Sequence, residues 1–228
     1  VKDLGNIKID YLDSADKFKS NPKLKYVDEV VSGCNRLAQS VYDSLIENSF
    51  PLIIGGDHSL SMGSIAGSSK YYGNDLGVIW IDAHGDINTE ETSPTGNIHG
   101  MPLAASMGIG YKELTSIFFD DFKVKSENVF ILACRDLDAG ELKLIDELNM
   151  NVWTASTINV RGMSSVLDAL ITLINKKDIK NIHLSFDIDC LDPEYVPGTG
   201  TPVEDGLSFQ ESKLLLERLI STSLIKSM

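Results

Sequence analysis

Apolar residues recur at steps of three and four positions between Val27 and Leu45, which predicts a long amphipathic helix. The apolar runs that follow are short and continuous rather than alternating. Continuous runs are typical of strands that are covered on both faces of a parallel sheet. The pattern therefore predicts buried strands at residues 51–54, 76–81, 129–134, 152–154 and 182–186.

Helical patterns separate and follow these predicted strands. Ser208 and Glu211 have the spacing of a capping box, which marks the start of the last helix. Alternation of strands with helices favours an α/β layered fold with right-handed crossovers. The further helices are predicted to begin near Ser59 or Ser61 and to cover residues 139–149, 163–176 and 208–221.

Length and composition narrow the class of protein. The 228 residues are 43% hydrophobic and 23% charged, as in a globular chain, and no stretch approaches the length of a membrane span. A formal charge of −13 argues against nucleic acid and anionic membranes as partners. Cys34, Cys134 and Cys190 are widely spaced, so a disulfide framework is not expected. This cysteine pattern predicts a reducing, cytoplasmic setting.

Ionisable residues follow three of the predicted strands. The motifs are Gly-Gly-Asp-His-Ser at 55–59, Asp-Ala-His-Gly-Asp at 82–86 and Asp-Ile-Asp at 187–189. Ligands of open α/β sheets bind beyond the carboxyl ends of the strands, so the three motifs are expected to converge on one crevice. Because side chains alternate along extended backbone, the ionisable residues within 82–86 and within 187–189 can point the same way.

The converging side chains indicate a metal site. Four carboxylates crowded at the end of a buried sheet would repel one another or take up protons unless cations lay among them, and two divalent ions would balance their charge. Oxygen ligands with some imidazole and no thiolate favour Mn²⁺ over Mg²⁺, Co²⁺ or Zn²⁺. Such a pair is suited to activating water against an electrophilic carbon. We expect two Mn²⁺ ions, held by His58, Asp82, His84, Asp86, Asp187 and Asp189.

These motifs, the third extended as Ser-Phe-Asp-Ile-Asp-Cys-Leu-Asp-Pro at 185–193, resemble the signatures of the ureohydrolase superfamily of binuclear manganese enzymes. Within that superfamily, segments 86–89 and 95–102 are similar to the amino-acid-recognition loop of the arginase family rather than that of agmatinases. The resemblance covers nearly the whole chain. It implies one arginase-like α/β domain over residues 1–228, with three α/β/α layers around a mostly parallel sheet.

The resemblance also implies an activity, a set of residue roles and a homo-oligomer, commonly a trimer. The activity is cleavage of the guanidinium of L-arginine to L-ornithine and urea at two Mn²⁺ ions. Asp86 would orient the attacking nucleophile, and His99 would shuttle a proton, a role suited to imidazole. The matching substrate positions are Asn88, Thr95 and Asn97 for the α-carboxylate, Asp138 for the α-amino group and Thr201 near the guanidinium end.

Members of this family carry a strand and a Gly-rich loop before the position that Val1 matches. They also carry, after the position that Met228 matches, a strand with a Glu that binds the guanidinium. We therefore expect these 228 residues to be incomplete at both ends and weakly active or inactive alone, and a chain extended at both ends to be a manganese arginase. The alternatives are agmatinase or another ureohydrolase, and a truncated, non-catalytic metal-binding form. Comparing arginine with agmatine tests the first, and metal analysis beside a urea assay tests the second.

Overall fold

A parallel β-sheet of five strands lies at the centre of the computed structural model, which describes residues 1–228. The strands are β1 (Leu76–Ile81), β2 (Val129–Leu132), β3 (Asn151–Trp153), β4 (Asn181–Phe186) and β5 (Ile225–Ser227). They lie in the order β3-β2-β1-β4-β5, and each neighbouring pair is parallel. The predicted α/β class with a parallel sheet is therefore confirmed.

The helices flank this sheet and include all those predicted from periodicity. Ser208 and Glu211 form the predicted capping box before the last helix. The helices are α1 (Val27–Ile46), α2 (Ser61–Tyr72), α3 (Pro102–Ser106), α4 (Lys112–Thr115), α5 (Ala139–Glu147), α6 (Ala155–Arg161), α7 (Met163–Lys176) and α8 (Phe209–Ser221). No single helix is long and apolar enough to cross a membrane; α6 and α7 pass that test only as a pair bent by 109°.

The sheet is buried between two helical layers, and β1 shows how its residues divide between them. Ile79 and Ile81 pack in one core with residues of α6, α7 and α8. Val78 and Trp80 face the opposite core, to which α2 and α3 contribute. Because successive side chains of a strand point to opposite faces, a run buried on both sides must be apolar throughout. The expected three-layer α/β/α architecture is present.

The predicted buried strand at 51–54 is wrong. This segment has no regular strand structure, and the side chains of Leu52 and Ile54 are exposed. Two backbone hydrogen bonds, from Ile53 N to Met228 O at 2.8 Å and from Met228 N to Pro51 O at 3.1 Å, hold it beside the end of β5. An apolar run indicates burial only where neighbouring layers cover both of its faces, and here they do not.

The loop after α4 is held by a buried lysine. Lys123 is only 3% exposed, and its ammonium donates hydrogen bonds to the carbonyls of Thr115 at 2.8 Å and Phe119 at 2.6 Å. Lys123→Met would leave these buried carbonyls without their charged donor, so we expect the free energy of unfolding to fall by about 3 kcal/mol. Urea denaturation against the exposed Lys125→Met control measures this. Equal stability of the two variants would contradict the assignment.

Candidate metal centre

Neighbouring strands bring the acidic motifs together. Ile81 of β1 is paired with Phe186 of β4, so Asp82 and Asp187 leave the sheet side by side. The Asp187 amide still donates to the Ile81 carbonyl at 2.8 Å, which continues the ladder by one residue. Beyond this point both chains turn, because the carboxylates of Asp82 and Asp187 accept hydrogen bonds from the amides two residues on.

The Gly-Gly-Asp-His-Ser motif at 55–59 places His58 over the same edge. Asp57 accepts a hydrogen bond from the Ser59 amide and starts a short 3₁₀ turn that carries His58. The His58 ring is stacked on Trp80, with ring centroids 3.9 Å apart and an interplanar angle of 14°. Trp80 also donates from Nε1 to Asp82 Oδ2 at 3.1 Å. An aromatic side chain of β1 thus orients one ligand from each of two motifs.

Two groups of three side chains have the geometry of metal ligands, and they share Asp82. The first group is His58, Asp82 and Asp86, and the second is Asp82, His84 and Asp189. His58 Nδ1 lies 2.8 Å from Asp82 Oδ2, whereas His84 Nδ1 lies 3.3 Å from Asp82 Oδ1. Since the two oxygens of one carboxylate face different groups, Asp82 is placed to bridge two adjacent cations.

Asp187, the sixth ligand predicted from the sequence, belongs to neither group but lies beside the first. His58 Nδ1 lies 3.2 Å from a carboxylate oxygen of both Asp187 and Asp86, in addition to Asp82. An imidazole nitrogen carries at most one hydrogen and cannot donate to three oxygens. A cation between these atoms could be bound by all of them at once. The donor set therefore fits a divalent metal ion better than it fits a proton.

In the absence of metal ions, protonated imidazoles would compensate part of the negative charge. Burial disfavours the charged form of His84, but hydrogen bonds to Asp189 and Asp82 raise its pKa to about 11. Burial acts in the same direction on His58, yet the carboxylates around it raise its pKa well above the ordinary value. Burial, together with the charge of Asp82, raises the pKa of Asp86 to about 8. Bound cations would remove the need for these protons.

A polar cleft of about 530 Å³ opens above the ligand groups. Ile188 is the one hydrophobic residue among the 22 that line it, and Asp82 lies beneath it, buried. The cleft therefore brings together every other site residue predicted from the sequence. These are His58, His84, Asp86, Asn88, Thr95, Asn97, His99, Asp138, Asp187, Asp189 and Thr201.

The candidate substrate residues are held by contacts within the cleft wall. Asn88 donates from Nδ2 to Asp138 Oδ2 at 2.9 Å, and Thr201 donates to Asp189 Oδ2 at 3.0 Å. The latter contact joins a candidate substrate residue directly to a candidate metal ligand. His99 follows in a 3₁₀ turn with its ring half-buried at the cleft, where it can meet a bound molecule.

Sequence reasoning missed Glu141, which also lines the cleft. Its carboxylate is buried and accepts hydrogen bonds from the amides of Ile87 at 3.2 Å and Asp138 at 2.9 Å. It thereby ties the loop after Asp86 to the start of α5. Asp138 and Glu141 have capping-box spacing, so the same signal that marked the last helix could have found this pair.

Arg135 supports the cleft from below and was also missed. Its guanidinium donates from Nη2 to the carbonyls of Asp189 at 2.9 Å and Val203 at 2.7 Å, and from Nε to the carbonyl of Glu204 at 2.9 Å. It therefore joins the backbone of a candidate metal ligand to the loop that follows Thr201. No local sequence pattern predicts such contacts, because more than 50 residues separate Arg135 from each carbonyl.

With Mn²⁺ as the probe ion, Arg135→Met is expected to weaken metal binding about 10- to 100-fold, as is usual when a group that supports a metal ligand is removed. The reason is that the backbone of Asp189 loses its charged donor. Competition with a chelator of known affinity measures the change, and Arg161→Met, at the exposed end of α6, is the control. Unchanged manganese affinity in Arg135→Met would contradict this support.

Ligand groups beneath a polar cleft, at the carboxyl edge of a parallel sheet, are typical of α/β metalloenzymes. Comparison with known proteins gives the family. A model of the arginase family matches residues 1–228. The chain belongs to the arginase family.

Individual relatives agree with this assignment. The arginase of Bacillus subtilis (strain 168) is 47% identical over 227 residues, which cover 100% of this chain and 74% of the relative. A crystal structure of arginase from Bacillus subtilis subsp. subtilis str. 168 has a TM-score of 0.91 at 45% identity and covers 99% of this chain and 74% of that one. The crystal structure of Entamoeba histolytica arginase in complex with L-ornithine has a TM-score of 0.85 at 37% identity, covering 90% of this chain and 69% of that one.

Proposed function

We propose that this protein hydrolyses L-arginine to L-ornithine and urea at two Mn²⁺ ions. The observation that carries the proposal is the pair of ligand groups sharing Asp82 at the floor of an acidic cleft. Membership of the arginase family supports the reaction, and L-ornithine in the structure of one relative supports the product. The acidic lining of the cleft favours a cationic guanidinium substrate.

His58, Asp82 and Asp86 would hold one cation, and Asp82, His84 and Asp189 the other, with Asp187 beside the first group. Manganese is proposed because carboxylate oxygens dominate the set, imidazole completes it and thiolate is absent. When bound, the two ions supply the Lewis acidity that lowers the pKa of a water molecule and makes it nucleophilic.

The protein's own groups orient and protonate the reactants. Asp86 would accept a hydrogen bond from the attacking water and so aim it at the guanidinium carbon. His99 would give a proton to the leaving nitrogen, so that L-ornithine departs as an amine while the carbon leaves as urea. His99 lines the cleft but belongs to neither ligand group, which suits a proton carrier that exchanges with solvent.

Polar side chains along the cleft would recognise the amino-acid end of the substrate. Asn88, Thr95 and Asn97 would donate to the α-carboxylate, and Asp138 would accept from the α-ammonium. Thr201, within hydrogen-bond distance of Asp189, would lie near the guanidinium end.

The experiment is to measure urea and L-ornithine release from L-arginine by the manganese-loaded protein, both as residues 1–228 and as a chain extended to the length of its relatives, with agmatine as the competing substrate. Equimolar urea and L-ornithine support the proposal. Preference for agmatine would favour agmatinase. The similarity of segments 86–89 and 95–102 to the amino-acid-recognition loop of arginases argues against that alternative. Manganese bound without turnover would favour a non-catalytic metal-binding form.

We further propose a homotrimer in the cytoplasm with a part in arginine metabolism and the urea cycle. The three cysteines are free and buried, which suits a reducing compartment. The trimer rests on family resemblance. Sedimentation equilibrium tests it, and a trimer of residues 1–228 should have three times the chain mass of 25.0 kDa.

A further inference from the structure

We propose that Lys25 is a positioning residue that makes the cleft selective for substrates bearing a carboxylate, by fixing the amide of Asn97. The proposal rests on the proposed function, because it names what recognises the amino-acid end of the substrate. Lys25 does not line the cleft itself. It acts through Asn97, which does.

The contact between the two side chains fixes which way the amide of Asn97 faces. Lys25 Nζ lies 2.6 Å from Asn97 Oδ1. A lysine ammonium has three donors and no acceptor, so the amide must present its oxygen to Lys25. With its oxygen held in this way, Asn97 has its two N–H donors left for a ligand in the cleft. A substrate carboxylate is the group that such donors bind.

The charge of Lys25 adds to this orientation. Seven carboxylate side chains line the cleft, and no lysine or arginine does. A carboxylate-bearing substrate therefore meets a negative field, which neutral donors alone offset weakly. A charge-assisted hydrogen bond is about twice as strong as a neutral one, and it polarises the amide toward stronger donation on its other side. Lys25 thus supplies positive potential behind Asn97, the residue of the cleft wall to which it is hydrogen-bonded.

The backbone holds Lys25 against this loop independently of its side chain. The Lys25 amide donates to the Gly96 carbonyl at 3.0 Å. Gly96 has a φ of +70°, and a Cβ there would lie 2.0 Å from the Lys23 carbonyl oxygen, so only glycine permits the approach. Leu24 is fully buried in the same core as Ile98. The residues on both sides of the Lys25–Asn97 contact are therefore anchored.

Lys25→Met in the manganese-loaded protein is expected to raise KM for L-arginine about 10-fold, the equivalent of one charge-assisted hydrogen bond of about 1.4 kcal/mol, with kcat nearly unchanged. The inhibition constant of agmatine, which has the same guanidinium but no carboxylate, should stay the same. Lys25→Gln keeps a donor without the charge, and its KM should fall between those of the wild type and Lys25→Met.

Lys23→Met is the matched control, because Lys23 lies two residues away and its ammonium pairs with exposed Glu91 at 2.8 Å rather than with Asn97. It should leave KM and agmatine inhibition unchanged. Equal weakening of L-arginine and agmatine binding, or loss of manganese from both Lys25 variants, would reduce Lys25 to a structural role and overturn the inference. If the wild-type chain, extended to the length of its relatives, releases no urea, the proposed function is overturned, and this inference with it.

Discussion

Asp82→Asn is expected to reduce bound manganese from two ions to at most one and to slow urea release at least about 1000-fold. Asp82 is the one side chain common to both ligand groups, and its two oxygens face different imidazoles. Asn keeps the shape but has one oxygen and no charge, so it cannot serve both groups. Metal content after desalting and urea release from L-arginine are the two measurements.

Asp136→Asn is the control for this substitution. Asp136 also lines the cleft, and it lies 3.9 Å from His84 Nε2, but it belongs to neither ligand group and its side chain is 68% exposed. It should keep two manganese ions. Two ions retained by Asp82→Asn would show that the carboxylate does not bridge and would contradict the arrangement.

His99→Ala is expected to lower kcat by about 100- to 10,000-fold while both manganese ions remain bound. The reason is that the variant loses the group proposed to protonate the leaving nitrogen but none of the side chains in the two ligand groups. Added imidazole should restore part of the activity, because a small base can enter a cleft of this size.

The His99→Ala variant distinguishes a role of His99 in proton transfer from a role in metal binding. A loss of kcat that imidazole partly reverses, at full manganese content, supports proton transfer. A loss that accompanies loss of manganese would instead make His99 part of the metal site, and an unchanged kcat would remove it from the reaction.

The sequence predicted β1 and the motif after it because both depend on local signals. An apolar run ends at Ile81 and Asp82 follows, so the position of the first ligand needs no long-range information. Alternation along an extended chain, however, does not describe residues 82–86. The Asp82 carboxylate accepts from the His84 amide at 2.8 Å, and Asp86 has a φ of +52°. Side-chain hydrogen bonding turns the backbone and brings the ligands together.

Residues that act across long separations could not be predicted. Lys25 and Asn97 are 72 residues apart, and Arg135 and Asp189 are 54 apart, so each contact exists only once the layers have packed. The prediction of a buried strand at 51–54 failed for the same reason, because the burial of Leu52 and Ile54 depends on neighbours that an apolar run does not reveal. Periodicity identifies faces, whereas packing decides what those faces meet.

The most direct test of the account is anomalous diffraction from crystals of the protein grown with Mn²⁺. We expect two anomalous peaks that flank the Asp82 carboxylate, one bounded by His58 and Asp86 and the other by His84 and Asp189. This measurement locates the metals without relying on turnover. A single peak, or peaks away from Asp82 while these side chains are ordered, would contradict the binuclear centre.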